Sequence, residues 1–400
     1  MAKIARVKAQ KIYDSRGIAT IEVALFSDSG EKAIASVPSG AFSGKYEAHT
    51  VETDKAIENV NTIISQNIIG RDPTNQTELD NLLITLDGTP NKASLGANSI
   101  LGVSIASARL ASSIKKIPLF LHLQQIFSPQ IPVNRLPSPM FNVINGGAHA
   151  NNGLSFQEFM ITPIEEGMSF SQKMEIGCQI FKKLEEILKK MNKTTGFGDE
   201  GGFSPKLNSN EEAIEILISA ITEAGFTPRT QVAVSLDVAA DFIKDLSAVT
   251  YPRQPLQYYE QLINDYPIEM LEDPFHDDDW LNWQQLTIRL GNRISIVGDD
   301  FFSTNILLLK KGVENKVANA ISIKPNQIGT VTETMQTIDF ARKNNISYQI
   351  SHRSGETEDT FIADLAVATA AKYFKSGAPN RGERVAKYNQ LLRIEKELFG

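Results

Sequence analysis

Val232-Ala233-Val234-Ser235-Leu236-Asp237 is a short apolar run that closes on a carboxylate, and the chain uses the same device four more times. Ile268 to Leu271 leads into Glu272, Ile294 to Val297 into Gly298-Asp299, Ala320 to Ile323 into Lys324, and Ile346 to Ile350 into Ser351-His352. From Asp237 through Glu272, Asp299 and Lys324 to His352 the intervals are 35, 27, 25 and 28 residues. That rhythm accommodates one strand, one loop, one helix and one return loop per unit, which is the repeat of a β/α barrel. The strand ends of such a barrel open on a common mouth, so three carboxylates, a lysine and a histidine far apart in sequence are predicted to meet there.

The chain has 400 residues, more than one ordinary core holds, and two domains are expected. Its 42% hydrophobic and 22% charged residues are those of a globular protein. A net charge of −7 with a pI near 5.5 argues against nucleic acid or an anionic membrane as a general partner, because both are themselves negative. Cys178 is the one cysteine, so no internal disulfide forms, and its setting on an apolar helix face predicts a buried structural thiol. Met1 to Arg6 lacks a signal-peptide apolar run, and Ala93 to Ala108, with Asn98 and several Ser and Gly, reads as a packed helix rather than a membrane span.

The first third has a different grammar. Lys8 to Tyr13, Ala19 to Phe26 and Lys32 to Val37 alternate as strands, with Asp28-Ser29-Gly30 as a hairpin turn. Helical patterns follow at Asp54 to Gln66, Thr77 to Asp87 and Asn98 to Lys115. The prolines at 129, 132, 137 and 139 mark a linker, giving an α+β capping domain over residues 1–128 and a β/α barrel over 129–400.

Ordered blocks along nearly the whole chain then resemble the enolase family. They include Asp14-Ser15-Arg16-Gly17, Asn145-Gly146-Gly147-Ala148-His149, Gly198-Asp199-Glu200-Gly201-Gly202, Leu271-Glu272-Asp273-Pro274, Lys324-Pro325-Asn326-Gln327 and Ser351-His352-Arg353-Ser354-Gly355-Glu356. The resemblance implies an enolase-type, TIM-like barrel and the Mg2+-dependent conversion of 2-phosphoglycerate to phosphoenolpyruvate in glycolysis and gluconeogenesis. It also implies a homodimer or a larger homo-oligomer in the cytoplasm, with a cell-surface or secreted pool as a secondary expectation.

Removing a proton beside a carboxylate concentrates negative charge on an enediolate, which a divalent cation stabilises directly. Asp237, Glu272 and Asp299 offer hard oxygen ligands without Cys or clustered His, a set that favours Mg2+ over Zn2+. Lys324 can serve as the base if burial and neighbouring cations depress its pKa. Carried over from the family, Lys324 takes the C2 proton and Glu200 protonates the departing C3 hydroxyl. Arg353 and Ser354 bind phosphate with His352 beside them, Lys375 meets the substrate carboxylate, Gln157 and Glu158 line the pocket near the hydroxyl, and His149 lies on a loop that closes over substrate. Two features are read as ordinary surface: His276 with Asp277-Asp278-Asp279 as a solvated helix cap, and Arg381, Arg384 and Lys387 as paired cations on a helix face.

The family's loop Ser-Gly-Ala-Ser-Thr-Gly is Ser39-Gly40-Ala41-Phe42-Ser43-Gly44 here, so Phe42 has no hydroxyl for a second Mg2+. Two other readings remain: another dehydratase of the superfamily, to which Arg353, Ser354 and Lys375 are foreign, and an impaired, non-catalytic binding or surface protein. If Phe42 weakens the second metal, Phe42→Ser lowers the Mg2+ concentration needed for half-maximal activity. Paired Mg2+ titrations check this, and superimposable curves refute it.

Overall fold

The structure is a computed structural model that describes residues 2–40, 44–246, 249 and 253–400. Phe42 lies outside the described residues. Three antiparallel strands, β1 (Ile4–Tyr13), β2 (Ala19–Ser27) and β3 (Lys32–Ser36), form a meander in the order β1-β2-β3. Strand alternation fixes its buried face: Ile21, Val23 and Leu25 are fully buried, while Glu22, Ala24 and Phe26 between them are half-buried. The helix Ala97–Lys115 covers that face. It comes so close that a Cβ on Gly102 would stand 2.7 Å from Val23 Cγ2, so this glycine is a packing requirement. The helix expected from Asp54 to Gln66 is instead interrupted, running as Thr53–Asn59, a π-helical stretch Val60–Ile64 and Ser65–Ile68. Among the described residues no helix is long and apolar enough to cross a membrane.

Eight strands close into a barrel: β4 (Ser138–Asn145), β5 (Glu158–Pro163), β6 (Val232–Asp237), β7 (Ile268–Glu272), β8 (Ser295–Gly298), β9 (Ala320–Ile323), β10 (Ser347–Ser351) and β11 (Tyr373–Lys375). The circular order is β10-β11-β4-β5-β6-β7-β8-β9. The fold is therefore α/β, a strand meander with helices followed by a TIM-like barrel. One strand breaks the parallel plan, since β5 runs antiparallel to both β4 and β6. Its first residue, Glu158, consequently pairs with Asn145 at the end of β4 and with Asp237 at the end of β6, so β5 delivers its N-terminus to the same mouth as its neighbours' C-termini.

The barrel interior is packed. Met140, Met160, Met270, Val297, Ala320 and Tyr373 form one buried cluster, and polar pairs accompany it: a Thr162 to Ser235 hydroxyl contact of 3.1 Å and a hydrogen bond of 2.9 Å from Gln349 Nε2 to Glu272 Oε2. The larger core lies between strands and outer helices, where Trp283, Tyr259, Phe141 and Phe159 are fully buried. Helices start where side chains accept the otherwise unpaired first-turn N–H groups: Ser169 with Gln172, Ser209 with Glu212, Thr330 with Glu333 and Asp279 with Asn282. The cap at Asp279 agrees with the surface reading of the acidic run beside His276. The buried-thiol expectation for Cys178 is overturned: Cys178 is exposed, because the helix Phe170–Lys190 turns Ile176, Gly177 and Ile180 inward and leaves residue 178 off the buried stripe.

His122, on the helix Leu119–Phe127, is fully buried, and neither ring nitrogen has a hydrogen-bond partner among the described residues. Burial first, and then the Lys115 charge, push its pKa down from 6.5 to about 4. The unfolded chain thus binds a proton that the fold refuses, and stability is lost as pH falls from the unfolded value toward the folded one. His122→Leu should remove roughly 2 kcal/mol of the stability difference between about pH 7 and 5. Denaturant unfolding at the two pH values measures this, and parallel pH dependences for the two proteins exclude it.

Candidate active site

Backbone register decides what meets at the mouth. Asp237 ends β6, Glu272 ends β7 and Lys375 ends β11; Asp299, Lys324 and His352 stand one residue beyond β8, β9 and β10. Glu158 opens the reversed strand β5, His149 ends a short 3-10 turn after β4, and Glu200 sits in the Gly198–Gly202 loop. One cleft is bordered by His149, Gln157, Glu158, Glu200, Asp237, Asp299, Lys324, His352, Arg353, Ser354 and Lys375. Of the residues singled out from sequence only Glu272 does not line it: Glu272 is fully buried and touches the cleft's residues through Lys375.

Lys375 organises the acids. Its Nζ lies 2.9 Å from Asp237 Oδ2, 3.0 Å from Glu272 Oε2 and 3.1 Å from Glu158 Oε2, with the side chain 2% exposed. Burial alone lowers an ammonium's pKa, but these carboxylates outweigh it and hold Lys375 well above the ordinary lysine value. Glu272 shows the converse: burial, with Asp237 and Asp299 adding to it, raises its carboxyl to about 8 against the opposing Lys375 charge.

Lys324 corrects an expectation. Burial and Arg353 do act to lower its pKa, but Nζ is paired with Asp299 Oδ2, and that contact, with Asp300 behind it, raises the pKa instead. The cations that were to depress it are outmatched by the acid it touches.

Opposite Lys324, the nearest carboxylate oxygens of Glu158 and Glu200 and a ring nitrogen of His149 lie within 4.8 Å of one another. Two buried carboxyls this close cannot both ionise cheaply. Burial, then the Glu200 charge, pushes Glu158 well above the usual range. Glu200 Oε2 accepts from Asn142 Nδ2 at 3.0 Å and faces His352 Nε2 at 3.4 Å, so Glu200 is the partner that keeps the charge.

The acids also suit a hard divalent cation. Asp237, Glu272 and Asp299 end adjacent strands, all offer oxygen, and Glu272 Oε1 is buried without a hydrogen-bond partner among the described residues. They do not form the tightest group, however. Asp273, Asp299 and Asp300 bring ligand oxygens within 4.8 Å, whereas Lys375 and Lys324 stand among the three strand-end acids. Asp273, at a φ of +41°, accepts from the backbone N–H groups of Asp299 and Asp300, both at 2.9 Å, and so braces the turn that presents them.

Arg353 meets a carboxylate that the sequence did not single out. Glu47 receives its guanidinium in a two-pronged pair, Oε1 at 3.0 Å from Nη2 and Oε2 at 3.2 Å from Nη1. The only sequence signal was a place in the segment after the Ser39–Gly44 loop. Arg384 and Lys387, read as surface cations, are 0% and 1% exposed. Arg384 donates to the carbonyls of Arg353 and Ser354, and Lys387 pairs with Glu356 at 2.9 Å and donates to Thr357 O at 2.9 Å. Loop carbonyls that no helix or sheet satisfies draw both side chains inward.

Two family models match the chain: "Enolase, N-terminal domain" over residues 4–123 and "Enolase, C-terminal TIM barrel domain" over residues 133–400.

Deleting the Lys375 charge leaves buried acids uncompensated. Lys375→Met should cost about 3–5 kcal/mol of stability in metal-free buffer, and added Mg2+ should recover part of that loss. Thermal unfolding with and without Mg2+ tests this; an unchanged metal-free midpoint would show that the acids do not need the ammonium.

Proposed function

The chain belongs to the enolase family, and from that premise we propose that it catalyses the Mg2+-dependent, reversible dehydration of 2-phosphoglycerate to phosphoenolpyruvate. The observation that carries the reading is the placement around one cleft of a half-buried lysine, Lys324, and the close-set buried carboxyls of Glu158 and Glu200. An elimination needs a base at C2 and an acid at the C3 hydroxyl, placed on different sides of the substrate.

Lys324 is assigned the C2 proton. Its present partner is Asp299; with Asp299 engaged by a metal, burial and the Arg353 and Lys375 charges would favour the neutral amine, opposed by the remaining Asp300 charge. Asp237, Glu272 and Asp299 are the residues assigned to Mg2+, whose charge would stabilise the enediolate. The Glu158 and Glu200 pair supplies the proton that leaves with the hydroxyl, with Gln157 and His149 bordering the same side. Arg353 and Ser354 take the phosphate, for which a planar two-pronged donor is well shaped, and His352 stands next to them. Lys375 takes the substrate carboxylate.

The same premise carries a glycolytic and gluconeogenic enzyme of the cytoplasm that assembles as a homodimer or larger homo-oligomer. It also carries a capping domain over residues 1–128 and a catalytic domain over 129–400.

Purified protein given 2-phosphoglycerate should form phosphoenolpyruvate, followed by its ultraviolet absorbance, with Mg2+ and not with chelator. Lys324→Ala should lower turnover by about 10²–10⁴-fold. No product from the wild type in ample Mg2+ would leave the non-catalytic reading in its place.

A further inference from the structure

Arg384 is the third residue of the closing helix Gly382–Phe399 and is fully buried. Its aliphatic stem lies over Gly377, where a Cβ would stand 3.1 Å from Arg384 Cδ and 2.6 Å from the Glu200 carbonyl. Its guanidinium then spans two loops of the cleft. Nη1 lies 2.5 Å from His352 Nδ1 and 2.6 Å from Arg353 O; Nη2 lies 2.7 Å from Ser354 O and 3.3 Å from Asp199 O.

The contact with His352 has a chemical consequence. A guanidinium carries five N–H donors and no acceptor, so the ring nitrogen it faces must offer a lone pair. Nδ1 is therefore unprotonated. An imidazolium, with both nitrogens protonated, is excluded for the same reason, which leaves the neutral tautomer with hydrogen on Nε2. That nitrogen is buried, has no hydrogen-bond partner among the described residues, borders the cleft and stands 3.4 Å from Glu200 Oε2. Asn142 Nδ2 approaches the same Glu200 oxygen at 3.0 Å, while Oε1 turns to His149 Nδ1 at 3.9 Å.

We propose that Arg384 is a positioning residue that keeps His352 as an uncharged Nε2–H donor aimed at the Glu200 carboxylate, and so sets which Glu200 oxygen is left to exchange a proton with the substrate. This deepens the dehydratase reading and rests on it for its kinetic consequence, but not for the tautomer. The charged groups facing the ring are Arg384, Glu200 and Glu356. Burial first, with Arg384 adding to it and Glu200 opposing, lowers the ring's pKa to about 4, in keeping with a histidine that stays neutral in the working range. Glu356 is itself occupied by the Arg353 backbone N–H at 3.0 Å and by Lys387 at 2.9 Å, which leaves it poorly placed to protonate the ring. A histidine read as a phosphate neighbour would ordinarily be expected to carry charge; here Arg384 supplies the charge from behind, and the ring presents only an uncharged N–H toward Glu200.

The chain has five histidines, so selective 15N labelling of the imidazoles gives five ring spectra, and His352→Gln assigns one of them by its disappearance. In the wild type the His352 ring should show a protonated Nε2 and a bare Nδ1, without titration between about pH 6 and 8. Arg384→Met should let both tautomers populate, whereas Arg384→Lys, which still offers a donor to Nδ1, should keep the wild-type tautomer. In turnover, Arg384→Met should lose about tenfold with a smaller change in KM, and adding it to His352→Gln should cost much less, because the ring it acts through is gone. A wild-type His352 protonated on Nδ1 or charged near neutral pH overturns the proposal, as does a folded Arg384→Met protein whose ring spectrum matches the wild type. Should Arg384→Met fail to fold, the wild-type spectrum and Arg384→Lys decide the matter alone. Because the spectra are recorded without substrate, an inactive wild type would remove the dehydratase reading while leaving the tautomer assignment standing.

Discussion

The ammonium of Lys375 among Asp237, Glu272 and Glu158 is the interaction on which the rest of the mouth depends. Three carboxylates buried this closely repel one another and lose their hydration, and each would take up a proton if left alone. One cation, within 3.1 Å of all three, lets the strand ends come together. The barrel's single reversed strand is part of the same solution. Only because β5 runs backwards does Glu158, its first residue, reach the ammonium beside the last residues of β6 and β7. Topology and electrostatics are therefore not separable here, since the reversal supplies the third acid and the lysine makes it tolerable.

The N-terminal meander contributes to the site as well as shielding it. Ser39 and Gly355 exchange backbone hydrogen bonds of 2.8 and 2.9 Å, and Ser15 N donates to Glu356 O at 2.7 Å, which ties the segments before and after β2 and β3 to the loop carrying Arg353. Ala48 N donates to Gln327 O at 2.7 Å, and from that anchored stretch Glu47 reaches Arg353. Further out, the Asp80 carboxylate accepts from the Thr332 backbone and hydroxyl, and Lys92 pairs with Glu333 at 3.0 Å. Arg353 is thus held by contacts from both parts of the chain, and its orientation cannot be set by the barrel alone.

Five of the eight barrel strands were legible because each is a run of β-branched and aliphatic residues that ends in a polar group, a pattern that surface helices and loops rarely produce. The remaining three were hidden for distinct physical reasons. β11 is only Tyr373–Lys375, too short to have a period; β4 begins inside a proline-bearing stretch that reads as linker; and β5 carries its charged residue at its start. The site's charged residues were legible where charge ends an apolar strand, and illegible where charge is buried to serve backbone. Arg384 and Lys387 sit at helical spacing in a polar segment, and nothing in that spacing says that orphan carbonyls at Arg353, Ser354 and Thr357 wait on the inner side. Cys178 failed in the opposite direction, its apolar neighbours suggesting a burial that the helix's rotation denies.

Each of the cleft's three cations is already held by an acid: Arg353 by Glu47, Lys375 by Asp237, Glu272 and Glu158, and Lys324 by Asp299. Such a cleft does not present bare positive charge. An anionic ligand must exchange with carboxylates that are in place, and a divalent cation must exchange with ammonium groups, so the two additions help each other: every acid drawn to a metal frees a cation for an anion. Selectivity follows from this coupling more than from any single contact. A phosphate without a carboxylate would engage Arg353 but leave Lys375 among its acids, and a metal on Asp237, Glu272 and Asp299 alone would leave Lys375 with Glu158 only and Arg353 still on Glu47. A ligand with anionic groups at both ends, arriving with a metal, would satisfy both cations and acids at once.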